Sequence, residues 1–144
     1  MIRGLIRKLL KEFIDPRSIP FEHQAYFSPT VTWYLQPHAI ERMEDDRNAE
    51  PVSMEEISDI TKKATKKLIQ IVSDKRNNFK PGPGFRFQVI DKNNFFLTIG
   101  CRVDSYDTLN HMDVNILTCY KTGGYLRLKG FVATYEQSQL VIEV

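Results

Sequence analysis

The stretch Ser53-Met54-Glu55-Glu56-Ile57 begins the most clearly marked element of this 144-residue chain. It has the pattern of a helix capping box, in which the Ser53 hydroxyl accepts from the Glu56 N–H and the Glu56 carboxylate accepts from the Ser53 N–H. Val52 and Ile57 are spaced to pack together as a hydrophobic staple around this start. The apolar residues then follow the spacing of one helical stripe: Ile57, Ile60, Ala64, Leu68, Ile71 and Val72. The pattern predicts a helix over residues 54–73 with one buried face.

Beyond this helix the hydrophobic period changes from that of a helix to that of a strand. Residues 85–89 alternate apolar and polar side chains, as a half-buried strand does. Further strands are predicted over residues 95–103 and 113–121, and the second is apolar enough to lie at the centre of a sheet. Segments 125–132 and 139–143 are predicted to add a hairpin. Helices followed by a β-meander favour an α+β fold in which N-terminal helices pack on a twisted antiparallel sheet.

The chain before the capping box contains three further segments. Residues 2–13 have the apolar stripe of an amphipathic helix, whose other face is basic. Residues 15–30 hold three prolines and no periodicity, so an extended connection is expected there. Residues 30–35 are β-branched and aromatic, which predicts a short strand. Pro37 suits a first helical turn, and a helix is predicted from Pro37 to Asp46.

Length and charge indicate one domain with an uneven charge distribution. A chain of 144 residues can bury a core without a metal or a disulfide. The net charge is +2, yet residues 41–59 hold eight acids against two arginines, and residues 60–80 hold seven basic residues against Asp74. Such blocks are consistent with a basic surface for a polyanion, although charge runs are more often solvated faces.

Several compartments and classes of site are disfavoured. Cys101 and Cys119 lie in β-like apolar runs, which predicts buried free thiols and a reducing cytoplasm. No apolar stretch approaches the length of about 18 residues that a membrane span needs. The three histidines and two cysteines lack zinc spacing, and the glycines do not form a phosphate-binding loop. We therefore expect no metal, no cofactor and no membrane association.

The segment Pro37-His38-Ala39-Ile40-Glu41-Arg42-Met43 places three chemically useful side chains on one helix face. His38, Glu41 and Arg42 are spaced i, i+3 and i+4. A histidine serves acid–base chemistry near neutrality, an arginine can hold a phosphate bidentately, and Glu41 could orient either of them. A structural role, with His38 near the helix start and Glu41 paired with Arg42, accounts for the spacing equally well and is the commoner case.

Three segments together resemble a known family. Residues 38–43, residues 53–57 and the strand Ile116-Leu117-Thr118-Cys119-Tyr120-Lys121 are similar to the motifs of RelE-like toxins and phage RegB-type endoribonucleases. The resemblance covers residues 36–122 of a single domain 1–144. It leaves residues 1–35 as an N-terminal extension and residues 123–144 as a C-terminal β extension.

The resemblance implies a RelE/barnase-like fold, with RNA lying across the open face of the sheet, and metal-independent cleavage of mRNA. In that reaction the 2′-hydroxyl attacks the neighbouring phosphate and leaves a 2′,3′-cyclic phosphate. Carried over to this chain, the catalytic residues would be His38 as base or acid, Arg42 to bind the phosphate or brace the histidine, and Tyr120 as a stacking ring. The implied RNA-binding residues are Glu41, Lys62, Lys66, Arg86 and Lys121.

Departures from the family support a second interpretation. The RegB-type enzymes have a second functional histidine on the following helix, where this chain has lysines. The gap between the two helices is acidic, which disfavours RNA nearby. The alternative is a non-catalytic RelE-like module that binds RNA or protein, for example a phage accessory protein or a protein held by an inhibitor. The sequence does not indicate an oligomeric state.

Overall fold

The computed structural model describes residues 15–24, 30–107, 111–123, 137 and 140–144. The helix predicted over residues 2–13 and the strand predicted over residues 125–132 lie outside the described residues. Two α-helices and six strands are described: β1 (Ile19–Gln24), β2 (Thr30–Leu35), α1 (Pro37–Met43), α2 (Met54–Ser73), β3 (Gly84–Ile90), β4 (Phe96–Asp107), β5 (His111–Thr122) and β6 (Val141–Glu143). A short 3₁₀ turn, Lys75–Asn77, follows α2.

The six strands form one mixed sheet in the order β1-β2-β5-β4-β3-β6, which confirms the α+β class. The predicted antiparallel sheet is wrong at two pairings, because β2 runs parallel to β5 and β3 runs parallel to β6. Parallel neighbours need a long crossover connection, and the chain between β2 and β5 contains both helices and two strands. β5 lies inside the sheet between β2 and β4, as its apolar sequence predicted.

Strand β1 occupies part of the segment that was expected to be an extended connection. Its side chains alternate between half-buried and exposed positions, and it pairs antiparallel with β2. Pro20 lies within β1, and a proline in a run argues against a central strand. Among the described strands β1 is at the edge, where a missing N–H is tolerated.

The capping box at the start of α2 is present as predicted. The Glu56 N–H donates to Ser53 Oγ at 3.1 Å, and the Ser53 N–H donates to Glu56 Oε1 at 3.1 Å. Helix α2 spans Met54–Ser73 and buries the predicted apolar stripe, except that Val72 at its end is only half-buried. A hydroxyl group of α2 also connects the helix to the sheet, because Trp33 Nε1 on β2 donates to Thr65 Oγ1 at 2.8 Å.

Helix α1 ends at Met43, three residues earlier than predicted. The reason is that the following loop uses the last carbonyl groups of the helix. The Val52 N–H donates to the Met43 carbonyl at 3.0 Å, and Asn48 Nδ2 donates to the Arg42 carbonyl at 2.6 Å. These contacts turn the chain back toward the sheet in place of a further helical turn.

The two faces of the sheet differ in composition. The face toward α2 carries the apolar core, in which Trp33 meets Phe87 at 5.9 Å between ring centroids. The opposite face, which we call the polar face, carries buried polar side chains: Thr32, Gln88, Thr98, His111, Asp113 and Asn115. Part of the face expected to be open is therefore closed to solvent. Cys101 and Cys119 are free and buried, as predicted.

Candidate functional site

An open pocket of about 510 Å³, which we call the His38 pocket, lies at the start of α1. It is lined by Asp15, Arg17, Gln36, Pro37, His38, Arg102, Asn115 and Leu117. These residues come from four parts of the chain: the segment before β1, the start of α1, β4 and β5. The pocket thus combines an imidazole, two guanidinium groups and two amides.

A β-bulge in β5 shapes one wall of the pocket. The register with β4 changes from Cys101 opposite Ile116 to Gly100 opposite Thr118, so Leu117 is the extra residue. A bulge re-aims the side chains around it, and Leu117 is 36% exposed. The Gln36 N–H donates to the Ile116 carbonyl at 3.1 Å, which ties the start of α1 to the bulge.

His38 is presented to solvent by the packing of its own helix. Pro37 is the first helical residue, a position where a missing N–H costs nothing. Ala39, the next residue after His38, is buried, and Cys119 Sγ donates to the Ala39 carbonyl at 3.2 Å. With Ala39 held against β5, His38 remains exposed at the rim of the pocket.

The two pocket arginines are held by aspartates close in sequence. Arg17 donates to Asp15 from its backbone N–H, Nε and Nη2 at 2.9, 3.2 and 2.9 Å. These hydrogen bonds from Arg17, the side-chain ones foremost, lower the pKa of Asp15. Arg102 Nε donates to Asp104 Oδ1 at 2.8 Å. A guanidinium has five donors, so one such bond leaves capacity for an anionic ligand.

Hydrogen bonds between amide side chains orient the carboxylate that holds Arg102. Gln36 Nε2 donates to Asn115 Oδ1, and Asn115 Nδ2 donates to Asp104 Oδ2, the carboxylate that holds Arg102. Asn115 is almost fully buried, so its amide has little freedom to rotate. This network connects the start of α1 with β5 and β4 and sets the direction of the Arg102 side chain.

The arrangement suits an anion and a proton transfer. Guanidinium groups bind phosphate with directed hydrogen bonds, and an imidazole nitrogen can accept or donate a proton. Within the described part of the chain no group of three or more His, Cys, Asp or Glu side chains could hold a metal ion. The chemistry that these side chains support is acid–base catalysis beside a bound phosphate.

Of the two remaining motif residues on α1, neither lines the pocket. Arg42 Nε is buried and lacks a hydrogen-bond partner among the described residues. The charge of Arg42 opposes the effect of burial on Cys119, whose pKa burial raises to about 12. Glu41 is exposed. The hydrogen bonds that Arg17 donates to Asp15 chiefly raise the pKa of Arg17, and the charge of Glu41 adds a small further increase.

The predicted catalytic residue Tyr120 and three of the predicted RNA-binding residues divide between the two sides of the sheet. By register, Tyr120 lies opposite Thr98 and Arg86 lies opposite Gly100, so both are on the polar face with Asn115. Lys62 and Lys66 are exposed on the solvent side of α2, which packs on the other face. One groove therefore does not bring these four residues together, because the sheet separates them.

Lys121 occupies a different environment from the one expected of a phosphate ligand. It alternates with Tyr120 and so faces the helix side, where it is 1% exposed. Its Nζ lies 2.8 Å from Glu50, 2.7 Å from Glu56 and 3.0 Å from Asp91. We call these four residues the Lys121 cluster. Because three carboxylates surround the ammonium, the geometry argues against a phosphate contact.

The Lys121 ammonium remains charged despite its burial. Burial alone would lower the pKa of Lys121, but hydrogen bonds to Glu50, Glu56 and Asp91 outweigh it and raise the pKa. Glu50 reaches the cluster because the acidic loop runs beside β5, where the Ala49 N–H donates to the Lys121 carbonyl at 2.9 Å. The acidic gap between α1 and α2 thus neutralises a buried lysine.

Sequence reasoning missed most of the pocket. For Arg17 a signal existed, since the Asp-x-Arg pattern of residues 15–17 recurs at 45–47 and 74–76 with the same hydrogen bonds. For Arg102 and Asn115 no local signal exists, because only the register of β4 with β5 places them side by side.

Among the described residues, no helix is long and apolar enough to cross a membrane. Comparison of the chain with protein families, with curated proteins and with solved structures finds no match.

Proposed function

We propose that this chain is a RelE-like, metal-independent endoribonuclease that cleaves mRNA in the cytoplasm, and that His38 is its acid–base group. The observation that carries the proposal is the pocket in which His38 stands with Arg17 and Arg102. The resemblance of residues 38–43 to the family motif supports it. So does the position of both helices on one face of the sheet.

The proposed reaction needs no cofactor. The 2′-hydroxyl oxygen bonds to the adjacent phosphorus while neutral His38 takes the hydroxyl proton. The bond from phosphorus to the 5′ oxygen then breaks, and the leaving oxygen takes a proton from water. The products are a 2′,3′-cyclic phosphate and a 5′-hydroxyl. Arg17 and Arg102 stabilise the negative charge that builds on the phosphate oxygens.

The polar face offers a path for RNA beyond the pocket. Arg86 is exposed and Tyr120 is half-buried on this face, so both are reachable by a strand leaving the pocket. In this proposal Tyr120 stacks on a base and Arg86 contacts a phosphate. Arg42 acts from within α1 through its charge, since its Nε is buried.

The test is cleavage of end-labelled mRNA in EDTA by the wild type and by His38→Ala, Arg17→Ala, Arg102→Ala and Arg42→Ala. Loss of an acid–base group is expected to slow cleavage about 10²–10⁴-fold in His38→Ala. Arg76→Ala is the matched control, because Arg76 has the same bonds to Asp74 as Arg17 has to Asp15. Arg76 does not line the pocket.

Wild-type cleavage with cyclic-phosphate ends, weakened by the pocket variants and unchanged in Arg76→Ala, is the expected result. An intact RNA at high wild-type concentration would overturn the proposal. Equal rates for His38→Ala and the wild type would also overturn it.

A non-catalytic RelE-like module that binds RNA or a protein partner is the second candidate. One observation favours it: both pocket arginines already hold carboxylate partners, Asp15 and Asp104. These pairs reduce the positive charge that a transition state would require. Salt-dependent retardation of RNA without cleavage would identify such a module, because phosphate contacts release counterions.

A further inference from the structure

The solvent side of α2 carries a compact group of basic side chains, which we call the lysine face. It consists of Lys62, Lys63, Lys66 and Lys67, all exposed. They line two adjoining depressions of about 570 and 250 Å³. Asp59 is the one carboxylate side chain among the described residues that line these depressions.

Helix stability accounts for only part of this group. Lys62 and Lys66 are four residues apart, as are Lys63 and Lys67, and like charges at this spacing destabilise a helix. The helix dipole stabilises cations in the last turn, yet that turn of α2 has no basic residue. Asp59 precedes Lys62 and Lys63 by three and four residues, the spacing of a stabilising pair, and the other acids of α2, Glu55 and Glu56, are in its first turn.

The charge of Lys62 acts on a neighbouring residue. His23 on β1 is hydrogen-bonded through Nε2 to Thr61 Oγ1 at 2.8 Å. Its pKa is lowered chiefly by burial and further by the charge of Lys62.

We propose that the lysine face binds the phosphate backbone of single-stranded RNA, at a surface separate from the His38 pocket. Lysines one helical turn apart are spaced by about 6 Å along the axis, which places successive point charges along a strand. Helix α2 has no aromatic residue and no arginine, so the contact reads phosphates and not bases.

The inference rests on the proposed function for the choice of RNA as the polyanion. Because the sheet lies between the lysine face and the polar face, one RNA must pass around the domain to reach both. A short oligonucleotide in the His38 pocket is expected to stay on the polar side of the sheet. The lysine face should therefore increase the affinity for long RNA and leave short RNA unaffected.

The experiment compares the triple charge reversal Lys62→Glu/Lys63→Glu/Lys67→Glu with the wild type. The matched control is Lys75→Glu/Lys80→Glu/Lys92→Glu, which makes the same charge change at exposed positions off the lysine face. Retardation of a long unstructured RNA is measured at several salt concentrations. Cleavage is measured on an oligonucleotide of about six nucleotides.

For the lysine-face variant, affinity for long RNA should fall at least about tenfold and the salt slope should decrease by about two to three. Cleavage of the short oligonucleotide should not change. Unaltered affinity for long RNA, or an equal loss in the control, overturns the inference. So does a lysine-face variant that loses only the binding of an acidic peptide.

Two further measurements separate the causes of failure. Thermal unfolding of each triple variant checks folding, and the neutral Lys62→Gln/Lys63→Gln/Lys67→Gln variant replaces the charge reversal where that variant unfolds. His38→Ala should bind long RNA as tightly as the wild type. If the wild type binds long RNA through the lysine face without cleaving it, the proposed enzyme fails while this inference stands.

Discussion

Two groups of charged side chains lie along β5, and their basic residues differ in exposure to solvent. In the His38 pocket the Arg17 and Arg102 side chains are 77% and 42% exposed, and each is held by an aspartate two residues away. In the Lys121 cluster the lysine is 1% exposed, and its three carboxylates come from distant parts of the chain. Burial, and not the sign of the charge, decides which basic group can meet a ligand.

The sharpest test of this difference is Lys121→Met. Removing the ammonium leaves Glu50, Glu56 and Asp91 together without a cation, and breaking a buried ion pair in this way costs about 3 kcal/mol of unfolding free energy. Urea denaturation measures the loss. Lys92→Met, at an exposed position, should change little. A loss below about 1 kcal/mol would mean that the cluster is effectively solvated.

Acid should weaken the Lys121 cluster through Asp91. Burial acts to raise the pKa of Asp91, but hydrogen bonds, first from Lys121 and then from the Phe95 and Asn93 N–H groups, lower it below 3.8. A lowered folded-state pKa contributes stability above the unfolded value, and that stability is lost as the pH falls through the folded value.

The unfolding free energy of the wild type should therefore decline below about pH 4, and Asp91→Asn should flatten that decline. Urea titrations between neutral and acidic pH measure both slopes. Asp46→Asn, at an exposed position, serves as the control. Identical slopes for Asp91→Asn and the wild type would contradict the assignment.

In the His38 pocket, Asn115→Ala tests whether the Asn115 amide positions the Arg102 side chain. Losing the amide that connects Gln36 with Asp104 should lower the cleavage rate about tenfold, or 1.4 kcal/mol in the barrier. Gln88→Ala is the control, since Gln88 is a buried amide on the same face and donates to Thr98 at 2.9 Å. Each variant should lose about 1 kcal/mol of stability. A slower rate per folded molecule only in Asn115→Ala identifies a positioning residue.

The smallest effect is expected for Asp15→Asn, which removes the exposed partner of Arg17. Exposed ion pairs contribute little to stability, so the denaturation midpoint should not move measurably. RNA affinity should rise slightly, because Arg17 is no longer neutralised by a carboxylate. Asp74→Asn breaks the equivalent pair outside the pocket and should leave both quantities unchanged. A clear loss of unfolding free energy in Asp15→Asn would mean that the Asp15–Arg17 pair contributes to stability, as the Lys121 cluster is expected to do.

Local patterns in the sequence determined the elements whose causes are local. The capping box and apolar stripe of α2 were predictable because a cap and a helical period involve residues within one or two turns. Strands β2 and β3 were predictable for the same reason, because the residue types and alternation of a strand are also local. The start of α1 at Pro37 is local in the same way.

Only the tertiary structure decided the features that depend on distant contacts. The parallel pairing of β2 with β5 and the end of α1 at Met43 follow from crossovers and loop contacts. Arg102 and Asn115 meet His38 through strand register, and Lys121 finds its carboxylates in three separate segments. Hydrogen bonds and ion pairs between remote residues depend on which segments the fold brings together. A local sequence pattern does not contain that information.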